Sequence, residues 1–265
     1  VEVVELAGPD VRRFTNGMFT NNVRDLPVGA HQHSALTDDR GRLVGLLDVL
    51  MVADDRMVVA LEGMSADGFE STYGMFIVFD DVELIRRPGR VLTFQGETPP
   101  DHELLCWPAP RSAAGGTDVF VPEGAHLEGE GAPVDEAALE AERIAVGWPR
   151  FPVDASDKQL PHELGLRDTH LHFEKGCYRG QEIIHRVEVM GQVRKGLVGV
   201  SLPGPVPAGA DIVDPETGRK VGRSGSTAAH PELGWIGLAV VRTSHSAVGT
   251  ALRVGDHPAT VRATR

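Results

Sequence analysis

Cysteine is scarce in this chain of 265 residues: there are two, Cys106 and Cys177, 71 positions apart. A chain this long buries a normal core without covalent staples, so a disulfide framework is excluded and a reducing compartment is expected. Two separated thiols also fall short of the four that hold an iron–sulfur cluster, and no C-x-x-C or H-E-x-x-H pattern is present, so no permanently bound metal is expected. Long apolar runs are missing as well. The longest, "RLVGLLDVLMVADD", is broken by Asp48 and is too short to span a bilayer, so no membrane partner is expected. The opening "VEVVELAGPD" carries Glu2 and Glu5 and lacks the basic and apolar regions of a secretory signal, from which a cytoplasmic location is expected. Positive charge is in deficit, 26 basic against 38 acidic side chains for a net charge of −12, which repels phosphate backbones and argues against indiscriminate nucleic-acid binding. There is no G-x-S-x-G elbow, and "GRKVGRSGS" lacks the order of a phosphate-binding loop; after the turn signal "DPETG" it reads as a hairpin.

What is present is a core-forming chain, 41% hydrophobic, with a mixed pattern of elements. "VEVVEL" predicts a strand and "PDVRRFTNGMFTNNV" a helix ended near Gly17. "RLVGLLDVLMVADDRMVVALE" predicts two strands joined at Asp54-Asp55, followed by a helix with apolar spacing at Phe69, Tyr73 and Phe76 and a strand at "VELIRR". From Val91 a similar order begins again: "VLTFQG", "ELLCW" and "DVFV" are strand-like, and "PVDEAALEAERIAVGW" predicts a helix with Pro133 near its start and Gly147 at its end. Beyond Gly191, short strands between glycine- and proline-rich turns predict an all-β barrel or sandwich of about 70 residues. The expected fold is therefore α+β: two related α+β subdomains, 1–90 and 91–190, followed by a small C-terminal antiparallel β-barrel at 191–265.

The chemistry concentrates at "EKGCYRGQEIIHR", residues 174–186. Cys177 lies between Lys175, Arg179 and the expected start of a helix, all of which favour a thiolate, while Glu174 and Glu182 oppose them. The residues alone leave open an activated thiol and an inert buried one. Gly176 and Gly180 allow close backbone approach to a ligand. In the helix, Ile183, Ile184 and Val187 form the packing stripe. Cys106, in the apolar stretch "ELLCWP", is expected to be structural. Two histidine pairs, "HQH" (His31, His33) and "HLH" (His170, His172), would each share a face if their segments were strands, but no third metal ligand can be assigned from the sequence.

The stretch "KGCYRGQE", Lys175 to Glu182, closely resembles the K-G-C-Y-x-G-Q-E motif of the YgfZ-type folate-binding proteins, relatives of the glycine-cleavage T-protein (aminomethyltransferase). Other segments fall in that family's order. "LAGPDVRRFTNGMFTNNV" is similar to its N-terminal motif with Asn22 in place of an acid, "DDRGRLVGLLDVL" to its next strand region, and "VGRSGSTAAHPELGWIGLAVV" to the T-protein-type barrel. The resemblance implies a tetrahydrofolate derivative held in a central cavity, with Asn21, Tyr178, Gly180, Gln181, Glu182 and Arg186 as its binding residues. It implies Cys177 as the working thiol, tuned by Lys175. It further implies a monomer with iron–sulfur client or assembly proteins as partners, including enzymes that modify tRNA.

Two roles follow from the resemblance: a folate-binding accessory factor of iron–sulfur maintenance, or a folate-dependent aminomethyl or one-carbon transferase or demethylase with Asp67 as general acid or base. The first is favoured, and the chain reads more as a non-catalytic or weakly catalytic factor than as a true transferase. The T-protein's asparagine at the strand end is replaced by Ala60-Leu61, and its Y-T-G-E-x-G-x-E segment has no counterpart in "DVFVPEGAHLEGEG". A third possibility is a scaffold that kept the fold without the ligand, whose cavity would be filled by side chains.

Overall fold

The computed structural model of the chain describes residues 1–96, 99, 103–128, 135–191 and 193–264. Five strands, β1 (Glu2–Ala7), β2 (His31–Thr37), β3 (Leu43–Ala53), β4 (Arg56–Glu62) and β5 (Glu83–Arg87), form an antiparallel sheet in the order β2-β3-β4-β1-β5. The strand pair β3–β4 is apolar in both alternating registers because both of its faces are covered. Val49, Met51, Met57, Val59 and Leu61 pack under α1 (Val11–Met18) and α2 (Ala66–Tyr73), where Phe69 and Tyr73 are fully buried. On the opposite face Val3, Val58 and Ala60 meet Trp107 and Phe120. Asp48 sits on this second face, where the hydrophobic covering gives way to a polar centre.

Trp107 and Phe120 come from a second sheet, β6 (Gly89–Gln95), β7 (Cys106–Pro108) and β8 (Gly116–Pro122), in the order β6-β8-β7. Strand alternation turns Trp107 inward and leaves Cys106 exposed, which corrects the expectation of a structural cysteine in an apolar strand. The third helix, α3 (Glu136–Val146), begins at an Asp135 cap whose carboxylate accepts from Ala137 N at 3.0 Å and ends at Gly147 with φ +81°. Pro133, expected near its start, lies outside the described residues.

The helix of the segment expected to repeat the first fold finds its partner outside that segment. Helix α3 docks away from its own sheet, burying Ala141, Ile144 and Ala145 against Ala228, Ile236 and Leu238 of the C-terminal barrel. That barrel is closed and six-stranded, made of β9 (Lys195–Leu202), β10 (Asp211–Val213), β11 (Lys220–His230), β12 (Gly234–Arg242), β13 (Ala251–Val254) and β14 (His257–Arg262). Closure satisfies the strand edges that an open sheet of this size would expose.

A buried ion-pair network joins α3, the loop after it and the barrel. Arg143 donates to Glu140 at 2.6 and 2.9 Å and to Asp154 at 2.7 Å, and it also reaches the carbonyl of Trp148. The other Asp154 oxygen accepts from Ser226 N on β11 at 2.6 Å. Each buried charge here has its partner, the condition under which such a network holds elements in register. No helix of the described residues is long and apolar enough to cross a membrane.

Candidate functional site

The loop carrying the cysteine motif is fastened to the first subdomain mainly through its backbone. His172 N donates to Thr20 O at 3.1 Å, Arg179 N to Gly17 O at 3.1 Å, and Thr37 Oγ1 to Arg179 O at 2.7 Å. Gly180 takes φ +83°, and a Cβ there would lie 2.4 Å from Asp38 O, so both the turn and the close approach require glycine. The chain then enters α5 (Gln181–Met190). Tyr178 is buried with Leu171 and Ile184, and Gln181 Oε1 accepts from Tyr178 N at 3.3 Å. Of the expected apolar stripe, Ile184 alone is fully buried; Ile183 and Val187 are partly so.

Lys175 is buried and points inward. Its Nζ donates to Phe19 O at 2.6 Å and Asn21 O at 2.7 Å and lies 5.0 Å from the Tyr178 ring centre. Burial, reinforced by Arg24, pushes its pKa down to about 7. Lys175, expected to tune the thiol, commits its ammonium to two carbonyl oxygens across the chain. Cys177 is exposed, four positions before the first residue of α5. Of the two readings open in the sequence, the inert buried thiol is therefore excluded.

The other expected site residues are brought together, but largely by contacts among themselves. Asn21 meets the motif through its carbonyl, while its side chain donates to His33 O at 2.8 Å and Thr169 O at 3.2 Å. Glu182 and Arg186 pair with each other at 2.6 Å on the exposed side of α5. A shallow open depression of about 650 Å³ runs along that side, bordered by Gln181, Glu182, His185, Arg186, Val189 and Met190. Asp67 lies elsewhere. It sits in the first turn of α2, at the opposite end from Tyr73, whose ring lies 5.9 Å from the Arg179 guanidinium; its carboxylate is 75% exposed and ion-paired with Arg86. A solvated, paired carboxylate is poorly placed as a general acid or base.

A second polar cluster occupies the centre, between the first sheet, the loop after β7 and the loop after α3. His31 and His33 share a face of β2, and Asp48 stands opposite His33 on β3. Asp48 Oδ1 is 3.0 Å from His31 Nε2 and 2.7 Å from His33 Nδ1. Burial alone would raise the Asp48 pKa, but these two hydrogen bonds override it and hold the carboxyl well below the usual range. Arg111 bonds Asp118 through both nitrogens at 2.6 and 3.2 Å and approaches Asp48 Oδ2 at 4.0 Å. Burial pushes Glu62 up; its carboxylate accepts from Phe151 N at 2.9 Å. His170 is buried, stacked on His33 at 5.3 Å with Trp148 beside both, and burial followed by the nearby His33 pushes it down to about 3. The pair "HLH" is thus not strand: His170 ends α4 (Arg167–His170) and His172 follows in a loop. The sequence reading missed Asp48, Glu62, Arg111 and Trp148 as members of this cluster. The available signal was the single aspartate interrupting an apolar run.

The centre as packed does not fit a folate. The enclosed space among His33, Asp48, Glu62, Arg111, Trp148 and His170 amounts to about 10 Å³, one water's worth, whereas pockets for molecules of folate size run to about 300–1,000 Å³. The His33, His170 and Trp148 rings stand there with their centres 5.1–5.7 Å apart.

Comparison with known proteins gives a consistent picture. Residues 194–264 match the family model "CAF17, C-terminal beta-barrel domain". The tRNA-modifying protein YgfZ of Edwardsiella ictaluri is 23% identical over 286 aligned positions, covering 96% of this chain and 85% of that one. The mitochondrial iron–sulfur cluster assembly factor IBA57 of Mus musculus is 38% identical over 76 residues, 27% of this chain and 20% of that one. The chain likewise spans 30% of the length of a chloroplast protein of Arabidopsis thaliana, 33% identical over 133 residues that make up 49% of this chain. In structure, the glycine cleavage system aminomethyltransferase T from Bartonella henselae superposes with a TM-score of 0.83 at 16% identity, over 99% of this chain and 82% of that one, which establishes the fold. With the KGCYRGQE loop, the T-protein-like α+β fold and the CAF17-type barrel, the chain is similar to YgfZ-type proteins over nearly its whole length.

Proposed function

We propose that the protein is an accessory factor for iron–sulfur enzymes, those that modify tRNA included, and that it works through the Cys177 thiol and the adjoining face of α5. The observation that carries this reading is the exposure of Cys177 on a loop whose neighbours are pinned to the first subdomain at residues 17–21 and at Thr37. A thiol so mounted is accessible to a client yet held in one place, which suits transient ligation or thiol exchange better than permanent cluster binding. The names of the two relatives, one modifying tRNA and one assembling iron–sulfur clusters, support the same class of client. A net charge of −12 favours a protein client over direct tRNA binding.

A reduced folate is the ligand implied by the family resemblance. Its entry at the centre requires the Trp148, His170 and His33 rings to separate, so no step of the proposed function runs through it. The test is the activity of an iron–sulfur-dependent tRNA-thiolating enzyme in cells lacking this protein. Wild-type protein is expected to restore that activity and Cys177→Ala is not; equal restoration by both overturns the thiol role. A parallel titration with tetrahydrofolate, followed by tryptophan fluorescence, separates the ligand from the thiol. A saturable change that persists in Cys177→Ala would mean that the central stack opens to folate, whereas no response at millimolar ligand removes folate from the account.

A further inference from the structure

The cluster around Asp48 has a property that neither the cysteine motif nor a folate site explains. His31 and His33 are two apart on one strand, and Asp48 is directly opposite His33 on the next. Three side chains capable of ligating metal therefore leave the same face of one hairpin, with their donor atoms all within 4.8 Å of one another. The rings of His31 and His33 meet edge-on, at 86°, and one nitrogen of each reaches the same Asp48 Oδ1. All three side chains are largely shielded, with 8%, 16% and 19% exposure.

The donor set and spacing match a known coordination chemistry. Two imidazoles and one carboxylate on one side of an ion, with positions left open on the other, is an arrangement used for zinc and for non-haem iron(II). Ligand bonds of 2.0–2.2 Å place tetrahedral donors about 3.3 Å apart. The His31–Asp48 and His33–Asp48 separations of 3.0 and 2.7 Å need to widen by only a few tenths of an ångström. In the metal-free arrangement the same atoms hydrogen-bond; a bound ion replaces those two N–H contacts, and the ring proton of each histidine moves to its other nitrogen.

The surroundings suit an ion as well. Arg111 lies near Asp48 Oδ2, the oxygen that does not face the histidines, and is neutralised by its bidentate pair with Asp118. It can therefore orient the carboxylate from outside without occupying the donor site. The cavity with room for one water borders His33 and Asp48, with Glu62 across it. We propose that His31, His33 and Asp48 form a binding site for one divalent first-row transition-metal ion, with this cavity as its open coordination position. The site is separate from Cys177 and does not depend on the accessory role proposed above.

The test uses the full chain, stripped with chelator, desalted, and titrated separately with cobalt(II) and zinc(II). One equivalent per chain is expected to survive gel filtration, and the cobalt form is expected to show the visible absorption of a nitrogen- and oxygen-ligated ion. Asp48→Asn and His33→Ala should each weaken binding by about 100-fold or more, beyond the 10–100-fold typical of losing an outer-shell partner. A Cys106→Ser, Cys177→Ser double variant should bind as the wild type does. Should a ligand variant fail to fold, the nitrogen resonances of the wild-type histidine rings decide the matter: zinc is expected to move those of His31 and His33. No retained equivalent, retention unaffected by Asp48→Asn and His33→Ala, loss in the double cysteine variant, or unmoved His31 and His33 resonances would each overturn the proposal.

Discussion

Around Cys177 the polar side chains are spent on backbone, whereas around Asp48 they are spent on one another. Lys175 and Thr37 tie the motif loop to carbonyl oxygens, leaving the thiol and the Glu182–Arg186 pair facing water. At the centre, His31, His33, Asp48, Arg111 and Asp118 form a connected set of largely shielded side-chain contacts. The first arrangement fixes a loop while keeping one reactive group available. The second makes each member depend on its neighbours, because a buried charge without its partner is costly. The motif loop should therefore tolerate changes at its exposed positions and the centre should not.

The largest effect is expected from Asp118→Ala, which strips the mostly buried Arg111 of its bidentate partner. Removing one member of a buried pair typically costs 3–5 kcal/mol, so denaturant unfolding should show a loss of about that size. Cys177→Ser, at an exposed position, should stay within about 0.5 kcal/mol of wild type. A loss below 1 kcal/mol in Asp118→Ala would erase the distinction between the two regions.

Lys175 is the place where the motif loop behaves like the centre. Its pKa falls from 10.5 to about 7 in the folded chain. Between those values the folded protein has released a proton that the unfolded chain still holds, so stability should rise with pH from about 7 to 10.5, by a few kcal/mol in all. The raised pKa values of Tyr73 and Tyr178 work in the opposite direction, with stability lost as pH rises above about 10, the ordinary tyrosine value. The difference between wild type and Lys175→Met isolates the lysine, and equal pH slopes in the two proteins would show that its charge is not suppressed by burial.

Gly180→Ala forces a side chain into a left-handed turn and against Asp38 O, and should cost about 2 kcal/mol or more in the same unfolding measurement. The smallest effect is expected at the exposed Glu182–Arg186 pair, where Arg186→Ala should lose only about 0.3–0.5 kcal/mol, and less at high salt.

The motif loop was legible in the sequence because its constraints are local: glycine at a left-handed turn, tyrosine and isoleucine for burial, and a cysteine just ahead of them. The barrel was legible for the same reason, since its turns punctuate short strands at regular spacing. The docking of α3 was not, because an amphipathic helix shows that it has an apolar face and does not show which surface covers it. The direction of Lys175 was also hidden. A lysine two residues from a cysteine reads as its neighbour until the fold brings Phe19 and Asn21 to the other side. The centre is assembled from residues as distant as His33, Arg111 and His170, and only its histidine pairs and the Asp48 interruption of an apolar strand marked it in advance.

The most direct test of the accessory role compares the two cysteines, both exposed, in cells lacking the protein, by the activity of an iron–sulfur tRNA-thiolating enzyme. Cys106→Ser should restore activity as fully as wild type, and Cys177→Ser, expressed and folded to the same level, should not. Full restoration by Cys177→Ser would contradict the assignment of the motif thiol as the working group.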